Sequence, residues 1–306
     1  MATITYATLE AANLRLAAMI EAEVRAMLAD NASIRNLIAF AGDVSGTGSD
    51  AVRLRLSSLG AKTPFATAAD GADVASTTPT YAIQDITVGR SVLRYDITDL
   101  ASMTGLGADL DPFSMAASMA ASAEARIMEI ICATFPNATT SVGSTGVDMD
   151  VDDLLSAIYA LELANNNGPF LCTLHPRQLA DLQAALRTEN NNFLAFMPAT
   201  ADMSSIKGQG YAGSILGVDV FKSDYVTTVN AGADRCGMMW GGGGVAYAIG
   251  TPAPLAGQLE MRPAGTPVTI SFQRDESAGL TEIVGSLYCG ASLVEDDRCV
   301  KIVTDA

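Results

Sequence analysis

The sequence predicts an α+β chain with one long central helix and much of its sheet late, and three observations predict it. Residues 111–135 carry apolar side chains at every fourth position (Met115, Met119, Ala123, Ile127, Ile131 and Phe135), the spacing that keeps one helix face in a core. Around Val52, Leu54 and Leu56 the period falls to two, with Arg53 and Arg55 between them, the pattern of a strand with one apolar and one basic face. After Gly244 the runs YAIG, QLEMRP, VTISFQRD, LTEIVGSLYCG and CVKIVTDA are strand-like and separated by turn residues.

In chain order, Thr5 to Asp30 reads as an amphipathic helix, with Leu9, Leu16, Ile20, Val24 and Met27 at helical spacing. Residues 45–98 read as a long two-stranded hairpin with a small polar tip near Asp70-Gly71, the returning strand being YAIQDITVGRSVLRYDI. Such a hairpin has little core of its own and needs a surface to lie on. Asp111 is placed to cap the long helix, Pro112 suits its first turn and Pro136 ends it, for a length of roughly 36 Å. A capped helix within 148–168, the short buried strand FLCTL, a turn and helix in HPRQLADLQAALR, and strands about a turn at Gly217 follow.

Of 306 residues, 49% are hydrophobic and 17% charged. Globular chains average about 25% charged residues, so part of this surface is expected to be hidden against other copies of the chain. Length alone allows one large domain or two smaller ones. The formal net charge of −16 disfavours a sequence-specific grip on nucleic acid or on anionic membranes, yet is compatible with enclosing DNA. No basic leader or membrane-length apolar helix is evident, so a soluble product is expected. Cys132, Cys172, Cys236, Cys289 and Cys299 lie in apolar stretches without a C-x-x-C pair, and are expected to be reduced core residues of a chain folded in a reducing cytosol.

The motifs that carry chemistry fail their structural conditions. Gly208, Gly210 and Gly213 spell G-x-G-x-x-G, but after a polar loop and before a strand-like run, not between a strand and a helix. Gly241–Gly244 lacks the lysine and hydroxyl of a phosphate loop and suits close packing or a tight turn. His175 stands before Pro176 at a strand-to-helix turn, with no nucleophile motif near it. The acidic runs at Asp148–Asp153 and Glu295–Asp297 do not fit a calcium loop; helix capping explains the first and a hairpin turn the second. No catalytic residue, cofactor site or metal site is expected.

Four segments, in this order, resemble the major capsid proteins of tailed bacteriophages, the Hong Kong 97-type fold. They are the basic hairpin followed by the long helix, similar to the family's E-loop and spine helix; FLCTLHPRQLADLQ; GSILGVDVFKSDYV, similar to a recurrent G-x-(I/L)-x-G-x-x-V turn and strand; and VTISFQRDESAGLTEIVGSLYCGASLVEDDRCVKI, similar to the closing strands. The likeness runs from about residue 45 to the end.

The resemblance implies an N-terminal arm and helix over 1–44, an E-loop over 45–98, a peripheral domain over 99–147 and 246–306, and an axial domain over 148–245. It implies hexamers and pentamers closing into an icosahedral head around double-stranded DNA held without sequence preference, built in the bacterial host cytoplasm with a separate scaffolding protein and a portal, and open to a decoration protein. It implies no enzyme activity. Encapsulin compartments share the fold and are the alternative; a cytosolic α/β enzyme with an unrecognised carboxylate site is the third reading. Some members join an E-loop lysine to a neighbour's asparagine. Lys62 is the one lysine in the hairpin, and Val268 to Ile302 contains no asparagine, so no cross-link is expected. The hairpin cations Arg53, Arg55, Lys62, Arg90 and Arg94 are expected to form a basic ribbon against a neighbour's acids, for which Glu124, Glu129, Asp275, Glu276 and Glu282 are the candidates.

Overall fold

The computed structural model describes residues 34–57, 81–100, 112–164, 168–188, 196–198, 210–252 and 268–305, with Val24, Asp70 and Asn166 as single positions. The first described elements are strands β1 (Ala39–Asp43), β2 (Ala51–Ser57), β3 (Tyr81–Thr87) and β4 (Gly89–Thr98), then helix α1 (Pro112–Cys132). Next come β5 (Ser141–Val142), helix α2 (Val151–Leu163), β6 (Leu171–Leu174), helix α3 (Pro176–Thr188) and β7 (Phe196–Pro198). The remainder is strand: β8 (Tyr211–Ile215), β9 (Val218–Lys222), β10 (Thr228–Val229), β11 (Asp234–Trp240), β12 (Val245–Ile249), β13 (Val268–Asp275), β14 (Leu280–Leu293) and β15 (Cys299–Asp305).

Two sheets organise these elements. A five-stranded sheet runs β1-β12-β14-β13, with β4 also paired to β14. Its long strand β14 is flanked by β13 from Leu280 to Leu287 and by β4 from Leu280 to Cys289, and meets β12 from Cys289 onward. Alternate β14 residues Ile283, Leu287 and Cys289 join Met119, Ile127 and Ile131 of α1 in one core. Gly285 lies on that same face, where an added Cβ would stand 3.6 Å from Met119 Sδ, so its lack of a side chain lets the helix lie close. The predicted apolar face of α1 is the face that packs: Met119, Ala123, Ile127, Ile131 and Phe135 are all buried. The helix stops at Cys132, a little before Pro136, where Thr134 Oγ1 donates to the Ile131 carbonyl and a short 3-10 turn, Phe135–Asn137, takes over.

The eight-stranded sheet runs β5-β15-β11-β6-β9-β8-β7, with β10 paired to β11. Along β11 the sides alternate. Cys236, Met238 and Trp240 face the core shared with α1, while Met239 faces the core of α2 and α3. Trp240 packs on Phe135 at the end of α1, ring centres 6.1 Å apart, so the central core is continuous between the sheets. The helix capping anticipated from the acidic run takes the form of a capping box on α2: Asp150 accepts from the first turn and Asp153 accepts from the Asp150 N–H at 3.2 Å. His175 sits at the N-terminus of α3 and its Nδ1 accepts from the Arg177 N–H at 3.2 Å. All five cysteines are buried free thiols.

The strand pairing departs from the order in which the segments follow one another in the sequence at four places. The expected single returning strand is two: β3 pairs with β2, and β4 leaves the hairpin at Val88 to pair with β14 over ten residue pairs. The apolar alternation Leu93, Tyr95, Ile97 drives this, because those side chains pack on the central core and not on the hairpin. Strand β1, within the segment that the resemblance assigns to an N-terminal arm, pairs in parallel with β12. Strand β15 does not extend the sheet of β14 but completes the eight-stranded sheet beside β11, where Val300 and Ile302 join the core of α2 and α3. The turn at Glu295–Asp297 is accordingly no hairpin turn but a 3-10 crossing between sheets. QLEMRP, Lys62 and the Asp111 cap lie outside the described residues, as does the N-terminal helix apart from Val24, which is helical and buried.

Candidate assembly surfaces

The β2–β3 hairpin has two unlike faces. On one, Val52, Leu54 and Ile86 pack with Ala246 and Ala248 of β12. The neighbouring β14 residues on that side are Gly290 and Ser292, whose hydroxyl accepts from Gln84 Nε2 at 2.9 Å. Small residues make a shallow platform, which lets the hairpin backbone come close. A Cβ on Gly290 would run into the Thr87 carbonyl. The hairpin root therefore rests on its own chain.

The other face carries the charge. Arg53 lies directly opposite Asp85 and donates to both carboxylate oxygens, Nε to Oδ1 at 2.9 Å and Nη2 to Oδ2 at 3.0 Å. This fork holds the Asp85 carboxyl below its usual range and raises Arg53. Arg55 lies over the Tyr81 ring, 4.8 Å from its centre. Ile83 and Tyr81 are 58% and 54% exposed on the same face.

The two further arginines of the predicted ribbon are on β4, away from the hairpin. Arg94 donates to both oxygens of Asp96 at 2.6 and 2.7 Å and lies 3.0 Å from Glu282. Arg90 donates to the Ser286 hydroxyl, its Nη2 at 3.1 Å. The four cations are thus divided between two sheets and mostly matched within the subunit. Sequence reasoning missed Asp85 and Asp96 as their partners. Asp96 was visible as a same-face neighbour two residues from Arg94, whereas Asp85 needed the register of the hairpin.

Four of the five candidate acids are occupied as well, Glu282 by Arg94. Glu124 is nearly buried and lies 3.4 Å from Arg35, joining the turn before β1 to α1. Glu129 accepts from Arg126 at 2.5 Å. Asp275 accepts from the Ser277 and Ala278 N–H groups at 2.9 and 3.1 Å and so closes the β13–β14 turn, while Glu276 is exposed there. Beside that turn Arg274 donates to Asp99 at 2.6 and 2.7 Å, a pair the sequence did not suggest.

The candidate chemical motifs have structural roles. Gly210 occupies a turn with φ +84° and leads into β8, not a helix. Gly244 packs so closely that a Cβ would stand 2.5 Å from Cys299 Sγ. Among the described residues, no three His, Cys, Asp or Glu side chains stand together as a metal site, and no helix is long and apolar enough to cross a membrane. A groove of about 490 Å³ between α1 and β4 is lined by Arg90, Val92, Met119, Arg126 and Leu287.

No family model and no curated protein matches the sequence. Solved structures do match. The fold is similar to that of a chain from Mycobacterium phage Che8, with a TM-score of 0.56, 15% identity, and 87% of this chain and 89% of that one covered. It is similar to the capsid structure of cyanophage P-SCSP1u, with a TM-score of 0.55, 13% identity, and 90% and 88% covered. It is also similar to the holo-SrpI encapsulin complex of Synechococcus elongatus PCC 7942, with a TM-score of 0.59, 16% identity, and 88% and 85% covered. The chain has the Hong Kong 97-type α+β fold, shared over nearly its whole length.

Proposed function

We propose that the chain is the shell-forming subunit of a tailed-phage head. Copies join as hexamers and pentamers and close into an icosahedral shell around double-stranded DNA, with a separate scaffolding protein and a portal as assembly partners and virion as the final location. The role is mechanical, not catalytic. The observation that carries the reading is the two-way coverage: nearly all of this chain matches nearly all of a phage capsid subunit. A match over the whole chain keeps both main sheets, the frame from which such shells are tiled.

In this reading the five-stranded sheet with α1 is the peripheral domain, the eight-stranded sheet with α2 and α3 is the axial domain, and β2–β3 is the E-loop lying on a neighbour. The contact relies on Ile83, Tyr81 and the rim of matched ion pairs more than on net positive charge. An encapsulin shell is the second reading, favoured by the likeness to the Synechococcus encapsulin.

Electron microscopy of the expressed chain, alone and with its neighbouring scaffold gene product, tests this. Closed shells are expected. Shells that package DNA support a phage head, and shells that retain a co-purifying cargo enzyme support the compartment. A chain that stays monomeric at micromolar concentration with scaffold present refutes both.

A further inference from the structure

Two helices on the same side of the eight-stranded sheet present exposed faces that match position for position. Helices α2 and α3 each have thirteen residues. On α2, Asp152, Leu155, Tyr159 and Glu162 lie on the exposed side, opposite buried Leu154, Ala157 and Leu161. On α3, Arg177, Ala180, Ala184 and Arg187 lie on the exposed side, opposite buried Gln178, Leu182 and Leu186. The intervals are identical, three, four and three residues, so the two faces have the same shape along and around the helix.

Their chemistry is complementary. The α2 face reads acid, large, large, acid; the α3 face reads base, small, small, base. Leu155, Tyr159 and the adjacent Leu163 are 45%, 65% and 68% exposed, a stripe of large apolar side chains that a lone subunit leaves in water. Ala180 and Ala184 open the space such side chains would fill. Each charged pair brackets its apolar centre at a separation of roughly 15 Å along the helix axis, so parallel and antiparallel packing both bring acids to bases. Arg177 already lies near Asp181 and Asp148, at 3.1 and 3.8 Å, but stays half-exposed and can accept a further partner.

We infer that α2 of one copy packs on α3 of the next, a head-to-tail contact that builds the capsomer ring; this rests on the shell reading above. Charge complementarity commits the surface to a second copy of this chain. Two α2 faces would bring acid to acid, so a two-fold pairing through α2 is disfavoured, and a heterologous contact is the kind that closes into rings.

Cysteine cross-linking tests the pairing, because the native cysteines are buried and the assembled wild type supplies an unreactive background. Tyr159→Cys is combined with Ala180→Cys in one variant and with Ala184→Cys in another. Each is assembled, treated with a short bis-maleimide and run on a denaturing gel. A ladder of covalent oligomers is expected from at least one double variant, with monomer only from each single variant. Monomer from both double variants while the chain assembles overturns the pairing and leaves the shell reading standing. Cross-linked dimer from Tyr159→Cys alone overturns it in favour of a two-fold contact. A wild type that never assembles overturns the pairing and the shell reading together.

Discussion

Replacing Gly290 with alanine tests how the hairpin is seated. The new methyl would run into the Thr87 carbonyl oxygen and stand 2.8 Å from its carbon and 3.2 Å from Val88 Cα. These are backbone atoms, so no change of rotamer relieves the clash. The end of β3 must back away from β14 by more than about an ångström to regain an ordinary contact. That retreat pulls on the Val88 N–H to Asp50 carbonyl bond of 2.8 Å and on the Gln84–Ser292 bond of 2.9 Å, and it lifts fully buried Ile86 from Ala246 and Ala248. Overpacking costs about 1–3 kcal/mol, and unseating one isoleucine costs about 1.5–3 kcal/mol. Both describe one displacement, so the expected loss is about 2–3 kcal/mol and not their sum. Urea unfolding of the unassembled subunit, followed by circular dichroism, measures it. With an m value of about 3 kcal/mol/M the midpoint falls by about 0.7–1 M. Gly242→Ala is the control, having no atom within 4 Å of the added carbon. A Gly290→Ala midpoint equal to the control, with the hairpin no easier to cleave by protease, would refute the seating argument.

Arg53→Glu faces Asp85 with a like charge and is expected to loosen the hairpin, seen as faster proteolysis of residues 51–87 in the unassembled subunit; the swap Arg53→Glu with Asp85→Arg should restore resistance, and failure to do so would assign Arg53 to a partner outside the subunit. His175 has its pKa lowered, first by burial and then by Arg235, so the unfolded chain takes up a proton more readily; stability is full above about pH 6.5 and falls as the pH drops below it. Because the chain has one histidine, His175→Asn should keep a helix cap and flatten that part of the pH profile; an unchanged slope would refute the assignment. Asp234 has its carboxyl lowered, first by the Asn230 amide and then by the Gly146 N–H, so its contribution holds above about pH 4 and is lost below it; Asp234→Asn should remove that acid step in the denaturation profile. Burial raises the thiols of Cys236 and Cys289 to about 11 and of Cys132 and Cys299 to about 12, and raises Cys172 as well, so a thiol reagent should find none of them in the folded chain at mildly alkaline pH and all five after unfolding.

What was legible in the sequence was what local periodicity controls. The face of α1 from Met119 to Ile131, the capping role of Asp150 and Asp153, and the buried strand Leu171–Leu174 each follow from side chains a turn or a pleat apart. What was hidden depends on register between distant segments. The run from Tyr81 to Thr98 looks like one strand because nothing local marks Val88 as the point where pairing changes partner from β2 to β14. Strand β15 looks like a neighbour of β14 because five residues separate them, yet its apolar side chains fit the sheet beneath α2. The cross-strand partner of Arg53 lay thirty-two residues away, beyond any helical or pleated spacing.

The electrostatics follow from the same distinction. Read along the chain, Arg53, Arg55, Arg90 and Arg94 are a basic cluster in a strongly acidic protein, and a cluster of that kind asks for a partner elsewhere. Folding supplies partners first: Asp85 for Arg53, Asp96 and Glu282 for Arg94, the Tyr81 ring for Arg55. A charge already matched by a fork of hydrogen bonds adds little attraction at a distance, though its rim still selects what can lie beside it. What folding leaves unsatisfied among the described residues is exposed apolar area, Ile83, Leu155, Tyr159 and Leu163 among it. Assembly driven by such apolar area depends less on salt than assembly driven by a bare basic ribbon, because Debye screening weakens only the charged part of the contact.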